Sequence, residues 1–110
     1  MITTHVLDTA SGEPAVGMVV LLEIHRAADW VRLSSGRTDA RGRLVAMAEN
    51  ADAGPGLYRF TFDTGSYHRD RNLKPFFPEV QVVFTVQEAG EHLHIPLLLS
   101  PYGYSTYRGS

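Results

Sequence analysis

The chain of 110 residues contains no cysteine. That absence excludes disulfides, thiolate metal sites and cysteine nucleophiles together. Excess positive charge is also missing: Lys and Arg number 10 against 12 Asp and Glu, a formal net charge of −2. Proteins that neutralise phosphates along a nucleic acid need such an excess, so no nucleic-acid partner is expected. Long apolar runs are absent as well. The longest, Met18 to Leu22, falls far short of the roughly 20 residues that cross a bilayer as a helix, and no membrane partner is expected. Met1-Ile2-Thr3-Thr4-His5 carries neither a basic segment nor an apolar stretch, which predicts a cytoplasmic protein. No Gly-x-Ser-x-Gly elbow and no phosphate-cradling glycine loop occur. A hydrophobic fraction of 44% beside 20% charged residues excludes wholesale disorder. The length suits a single domain, residues 1–110, with one core.

The dominant period is two. Over residues 80–87, Val80, Val82, Phe84 and Val86 fall on one face, and Gln81, Thr85 and Gln87 on the other. Residues 57–63 repeat this, with Tyr58, Phe60 and Phe62 inward against Arg59, Thr61 and Asp63. Residues 15–24 are apolar through the middle, as in a strand covered on both faces. Residues 3–9, 29–36, 42–47, 91–99 and 103–107 complete eight expected strands. Ser11-Gly12-Glu13-Pro14, Asp39-Ala40-Arg41-Gly42, Gly54-Pro55-Gly56, Glu88-Ala89-Gly90 and Pro101 read as the turns between them. This spacing suggests a sandwich or barrel. Residues 63–72 are polar, with Asp63, Thr64 and Ser66 as N-cap candidates, and predict a helix of about two turns. The stretch His68 to Lys74 reads as a mixed-charge, solvated helix face.

Three strands place polar groups where plain solvation does not explain them. In residues 91–99, Leu93, Ile95, Leu97 and Leu99 anchor one face, while His92, His94, Pro96 and Leu98 share the other. A face mixing histidine with proline and leucine needs a cover, and a partner subunit is the simplest one. The first strand sends Thr4, Val6 and Asp8 inward and His5 and Leu7 outward; the last puts Ser105 and Tyr107 together on one side. If these strands are neighbours, the three polar faces converge. Taken singly, a histidine on a strand is more often solvated than chemical. His92-x-His94 could pair on a metal, but no third ligand stands nearby, so no metal is expected. Arg37, Arg41 and Arg43 flank a turn, where arginine is ordinarily solvated.

The chain closes with His94-Ile95-Pro96 through Tyr107-Arg108-Gly109-Ser110 and opens with Thr4-His5-Val6-Leu7-Asp8. Between these lie Thr38-Asp39-Ala40-Arg41-Gly42-Arg43 and Asn72-Leu73-Lys74-Pro75-Phe76-Phe77-Pro78-Glu79. The whole chain thereby resembles the 5-hydroxyisourate hydrolases, the enzymatic branch of the transthyretin-like family. The terminal Tyr-Arg-Gly-Ser marks the enzymes and not the hormone carriers. The resemblance implies an all-β, two-sheet, eight-stranded Ig-like sandwich with one short helix after the fifth strand. It implies a homotetramer, a dimer of dimers, with active sites in clefts between dimers. The implied reaction adds water to the small-molecule substrate 5-hydroxyisourate in urate degradation. The six-membered ring opens, giving 2-oxo-4-hydroxy-4-carboxy-5-ureidoimidazoline, with neither metal nor organic cofactor.

Carried over by position, the resemblance implies His5, Arg43 and His94 as catalytic residues, and Tyr107, Arg108 and Ser110 as the tail motif, with Arg108 reaching into the cleft. Ser105 and His92 are further substrate-binding candidates. Arg43 is chosen over the extra arginine, Arg41, because it directly follows Gly42. A neutral imidazole accepts a water proton near neutral pH, a role open to His5 or His94. A guanidinium offers a planar fork of donors to a carbonyl gathering negative charge, which suits Arg43 and Arg108. The competing function is a transthyretin-like carrier of small aromatic ligands in the inter-dimer channel, and a third is an Ig-like adhesion domain. A carrier channel calls for apolar and hydroxyl groups, whereas two histidines and two arginines suit a polar, reacting heterocycle.

Overall fold

Alternating apolar residues build two facing sheets. A computed structural model describes residues 1–110. In chain order the elements are β1 (Ile2–Asp8), β2 (Glu13–Pro14), β3 (Val19–Arg26), β4 (Asp29–Arg37), β5 (Arg43–Met47), β6 (Gly56–Phe62), α1 (Thr64–Arg69), β7 (Val80–Val86), β8 (Leu93–Ser100) and β9 (Gly103–Thr106). One sheet runs β2-β1-β8-β9 with β5 also paired to β1, and the other runs β4-β3-β6-β7. β1 and β8 pair in parallel, whereas the neighbouring β1–β5 and β8–β9 pairs are antiparallel. The inward residues of both sheets form one core. Val6, Ile95, Leu97 and Leu99 come from one side, and Val20, Leu22, Ile24, Tyr58, Phe60 and Phe62 from the other. Phe60, Phe62, Tyr58 and Phe84 stack within the second sheet at ring-centroid distances of 5.5 to 5.8 Å, and aromatic rings carry the largest buried area per residue.

The strand expected over 15–24 starts only at Val19. Gly17 takes a φ of 76°, which breaks the extended run, and Val16 is exposed. The buried Thr38 hydroxyl serves the backbone there instead: it donates to Ala15 O at 2.6 Å and accepts from Met18 N at 2.9 Å. The turn expected over 11–14 contains the two-residue β2, which gives nine strands rather than eight. The Asp8 carboxylate accepts from Ala10 N and Ser11 N. That folds the chain back until Pro14 lies opposite Leu7. The helix spans six residues, close to the two turns expected. Asp63 caps it, accepting from Ser66 N at 3.1 Å, and it ends at Arg69 with Asp70 as its C-cap, before Asn72 turns the chain at a φ of 59°.

The solvated face expected at His68 is overturned: the ring is fully buried. It packs edge-on to Tyr67 at 5.6 Å. The Tyr67 hydroxyl donates to Asp8 Oδ2 at 2.8 Å, which ties α1 to β1. Burial together with the Asp8 hydrogen bond pushes the Tyr67 hydroxyl up to about 12. Burial alone would raise Asp8, but the bonds from Tyr67, Ser11 and Ala10 outweigh it and hold that carboxyl below its ordinary range. Neither ring nitrogen of His68 has a hydrogen-bond partner. Burial lowers the His68 pKa, Asp8 opposes this, and Arg71 adds to it.

A histidine kept neutral in the fold but free to take a proton when unfolded contributes a stability that is intact above its ordinary value of about 6.5 and declines as pH falls below it. Asp8 has the same sign but acts lower, below its ordinary 3.8. Replacing an unpartnered buried polar ring by an apolar one removes a penalty of about 1–3 kcal/mol. The variant His68→Phe is therefore expected to melt higher than the parent near pH 5, with the gap narrowing by about pH 8. Thermal melts at both values check this; an equal gap at both would contradict it.

Candidate active site

Parallel pairing of β1 with β8 sets which outward side chains meet. Thr3 lies opposite His94, His5 opposite Pro96 and Leu7 opposite Leu98. On the other edge of β1, Arg43 lies opposite His5 and Val45 opposite Thr3. The outer face of this sheet therefore gathers Thr3, His5, His94 and Arg43. The two imidazoles stand 6.5 Å apart between ring centroids, tilted by 35°.

The turn before β5 aims Arg43. Asp39 Oδ1 accepts from Arg41 N at 2.8 Å and Arg43 N at 2.9 Å. These two bonds hold the Asp39 carboxyl below its usual range. Gly42 has a φ of 75°, and a Cβ there would come within 2.5 Å of Val6 O, so only glycine fits where the loop crosses β1. Arg41 stays in the turn, while Arg43 enters the sheet beside His5.

His94 is half-buried and held on two sides. Its Nδ1 lies 2.7 Å from Thr3 Oγ1, and its carbonyl accepts from Gly109 N at 2.7 Å. A Cβ on Gly109 would come within 2.7 Å of the ring at Cδ2, so glycine is required for the tail to lie against the imidazole. Burial, then the neighbouring His5 and Arg43, lower the His94 pKa below the ordinary histidine value. The ring is thus biased toward its neutral form, with the Arg43 guanidinium nearby.

The tail continues the site. Arg108 Nη2 donates to Glu91 Oε2 at 3.1 Å. The other oxygen of Glu91 accepts from Gln87 N and Glu88 N. These backbone bonds, with Arg108 adding to them, hold the Glu91 carboxyl below its usual range. A groove of about 650 Å³ opens here, lined by Thr3, His92, His94, Arg108, Gly109 and Ser110 among others. His92 is mostly exposed, 3.8 Å from Glu49 Oε1.

Two expected members stand apart from the histidines. Ser105 pairs with Leu98, four residues along β8 from His94 at about 3.3 Å each. It lines a separate depression with Thr9 and Tyr104. Tyr107 lies over the open side of the sandwich, beside Val82, Phe84 and Ile95. Two participants escaped the sequence. Thr3 had a signal, since it shares the face of His5 by period two; Glu91 sits in a turn and had none. No cluster of three or more His, Asp or Glu side chains is arranged to hold a metal ion. The groove itself presents the His94 and His92 imidazoles and the Arg108 guanidinium, while His5 and Arg43 stand beside His94 on the same sheet face without lining it.

The chain matches the HIUase/Transthyretin family over residues 2–109. It is 46% identical to the 5-hydroxyisourate hydrolase of Salmonella dublin, over 100% of this chain and 81% of the relative. It is 43% identical to that of Mus musculus, over 99% of this chain and 94% of the relative. Among solved structures, Klebsiella pneumoniae 5-hydroxyisourate hydrolase superposes with a TM-score of 0.86 at 34% identity, covering 99% of this chain and 98% of that one. Sea bream transthyretin in complex with thyroxine superposes at 0.90 and 31% identity, covering 98% and 93%. Enzyme and thyroxine-bound protein thus share the backbone, and side chains must separate them. On sequence and fold alike, the chain belongs to the HIUase/Transthyretin family.

Proposed function

We propose that this chain is a 5-hydroxyisourate hydrolase whose chemistry takes place on the outer face of the β1–β8 sheet. The observation that carries the reading is His94: a half-buried imidazole with a lowered pKa, facing His5 and Arg43 and touched by the tail. A transthyretin-like carrier would not need this constellation. A neutral ring is what a general base requires near pH 7. His94 takes a proton from water as the oxygen attacks the acyl carbon of the six-membered ring. Negative charge gathers on the carbonyl oxygen, and Arg43 and Arg108 stabilise it. The C–N bond then breaks, and the proton held by His94 passes to the departing nitrogen. The ring-opened product is the ureidoimidazoline carboxylate. His5 orients the substrate beside Arg43, and His92, Tyr107, Ser105 and Ser110 complete the pocket in the assembled protein. No metal or organic cofactor enters these steps.

The assembly proposed is a homotetramer. Both sheets end in strands with a free edge, β9 in one and β7 in the other, and exposed edges invite pairing with another chain. Phe76, Tyr102, Tyr104 and Tyr107 are exposed in the isolated chain, an apolar surface of the kind that partners cover. A cleft between dimers would bring Ser105 and Tyr107 of the assembly toward the histidine groove. No helix is long and apolar enough to cross a membrane, and the reaction is proposed to run in the cytoplasm.

The direct test generates 5-hydroxyisourate from urate with urate oxidase and follows its ultraviolet decay. Added protein is expected to accelerate the decay, and no acceleration would overturn the reading. The rate should fall on acidification as His94 takes up a proton. The acid limb of the profile is expected to have its midpoint below about 6.5, the ordinary histidine value. A midpoint above that would contradict His94 as the base.

Arg108→Ala removes one donor aimed at the developing oxyanion, and truncation after Tyr107 removes with it the Gly109 bond to His94. Such losses typically cost about 100- to 1000-fold in turnover. A fall of at least about tenfold is expected, with the melt and the sedimentation of a tetramer unchanged. Near-parental turnover would remove the tail from the site.

A further inference from the structure

Thr3 and Thr4 are consecutive on β1 and face opposite ways. Thr4 is fully buried, and its hydroxyl donates to Ile95 O at 2.6 Å, a bond inside the core. Thr3 lies outward, half-buried, opposite His94 in the parallel ladder. Its Oγ1 lies 2.7 Å from His94 Nδ1 and 3.5 Å from Leu93 O. A threonine hydroxyl has one proton to give and lone pairs to receive. Two arrangements satisfy the short contact. In the first, the proton points to Leu93 O and the oxygen accepts from Nδ1–H. In the second, the hydroxyl donates to Nδ1, and the proton of the neutral ring sits on Nε2.

We propose that Thr3 is a positioning residue that accepts a hydrogen bond from His94 Nδ1–H and so leaves the Nε2 lone pair free to take a proton. This rests on the reading of His94 as the general base. Only the first arrangement leaves Nε2 able to take a proton from water. It also survives the proton transfer unchanged: when Nε2 is protonated, Nδ1–H still donates to the same oxygen. The second arrangement would require the hydroxyl to reverse in mid-reaction. The branched Cβ of threonine restricts χ1 on a strand, so the oxygen is held in place rather than searching for the ring. Which nitrogen of a base carries the proton is set by the bond its other nitrogen makes, and at His94 that partner is Thr3.

The experiment compares Thr3→Val, which keeps the shape without the hydroxyl, with Thr3→Ser, which keeps the hydroxyl. Alongside them run His94→Asn and the nitrogen-15 ring spectrum of the parent. Thr3→Val is expected to lower kcat by about tenfold or more with little change in KM or in the melt, a modest share of what a positioned base contributes. Thr3→Ser is expected to restore most of kcat. The parent spectrum is expected to show neutral His94 protonated on Nδ1, and Thr3→Val to mix the two tautomers. Parental kcat in Thr3→Val, no rescue by serine, or a parent His94 protonated on Nε2 would each overturn the proposal. His94→Asn separates two failures. If it is inactive while Thr3→Val is unaffected, only the role of Thr3 falls; if it is active, the base falls and Thr3 with it.

Discussion

The parallel pairing of β1 with β8 is the constraint on which the rest depends. It joins Ile2 to Leu93 at one end and Asp8 to Leu99 at the other, segments from opposite ends of the chain. A slip of one residue in such a ladder would exchange the two faces of a strand. Thr3, His5 and Leu7 would enter the core, and Thr4, Val6 and Asp8 would face water. Burial prevents the slip. Val6, Leu97 and Leu99 are fully excluded from solvent, and the Thr4 hydroxyl is locked onto Ile95 O. The geometry of the outer face is thus held by the chemistry of the inner one. Contacts of this sequence separation are costly to close, because chain entropy is lost before they form. The tie between Tyr67 and Asp8 then holds α1 against the far end of the same strand.

The outer face gathers basic side chains. Arg43 stands beside His5, and both depress the proton affinity of His94 after burial has done so. On the proposed mechanism, this arrangement sets up in advance the field that a forming oxyanion needs. Arg108 is held differently. It is mostly exposed and reaches Glu91 through a single ion pair, a contact that solvent weakens. Glu91 itself is fixed by the backbone of Gln87 and Glu88. The tail therefore has a firm anchor at Gly109 and a looser one at Arg108.

Period two made the strands legible, because half-buried sheets repeat it faithfully in Tyr58, Phe60 and Phe62 and in Val80 through Val86. Errors fell where a single residue overrides the pattern. Gly17 and Thr38 divert the apolar run at 15–18, and Asp8 turns a loop into a two-residue strand. His68 carries the polar signature of a surface helix yet is buried, since nothing in a short polar stretch reveals which side the sheet will cover. The face of each candidate residue was readable, but the neighbourhood was not. That His5 and His94 meet depends on a register between strands about 90 residues apart in sequence. Ser105 shares the face without sharing the groove, because distance along β8 is invisible to a rule about alternation.

The claim that chemistry belongs to the outer face of the β1–β8 pair is tested most directly by watching the five histidines while an unreactive oxopurine analogue is added. Nitrogen-resolved ring resonances report each imidazole separately. His5 and His94 are expected to shift together and saturably, while His68 in the core and His25 beside Trp30 on the other sheet stay unmoved. Saturation of the protein with no change at His5 and His94, or a response confined to His25, would contradict the account.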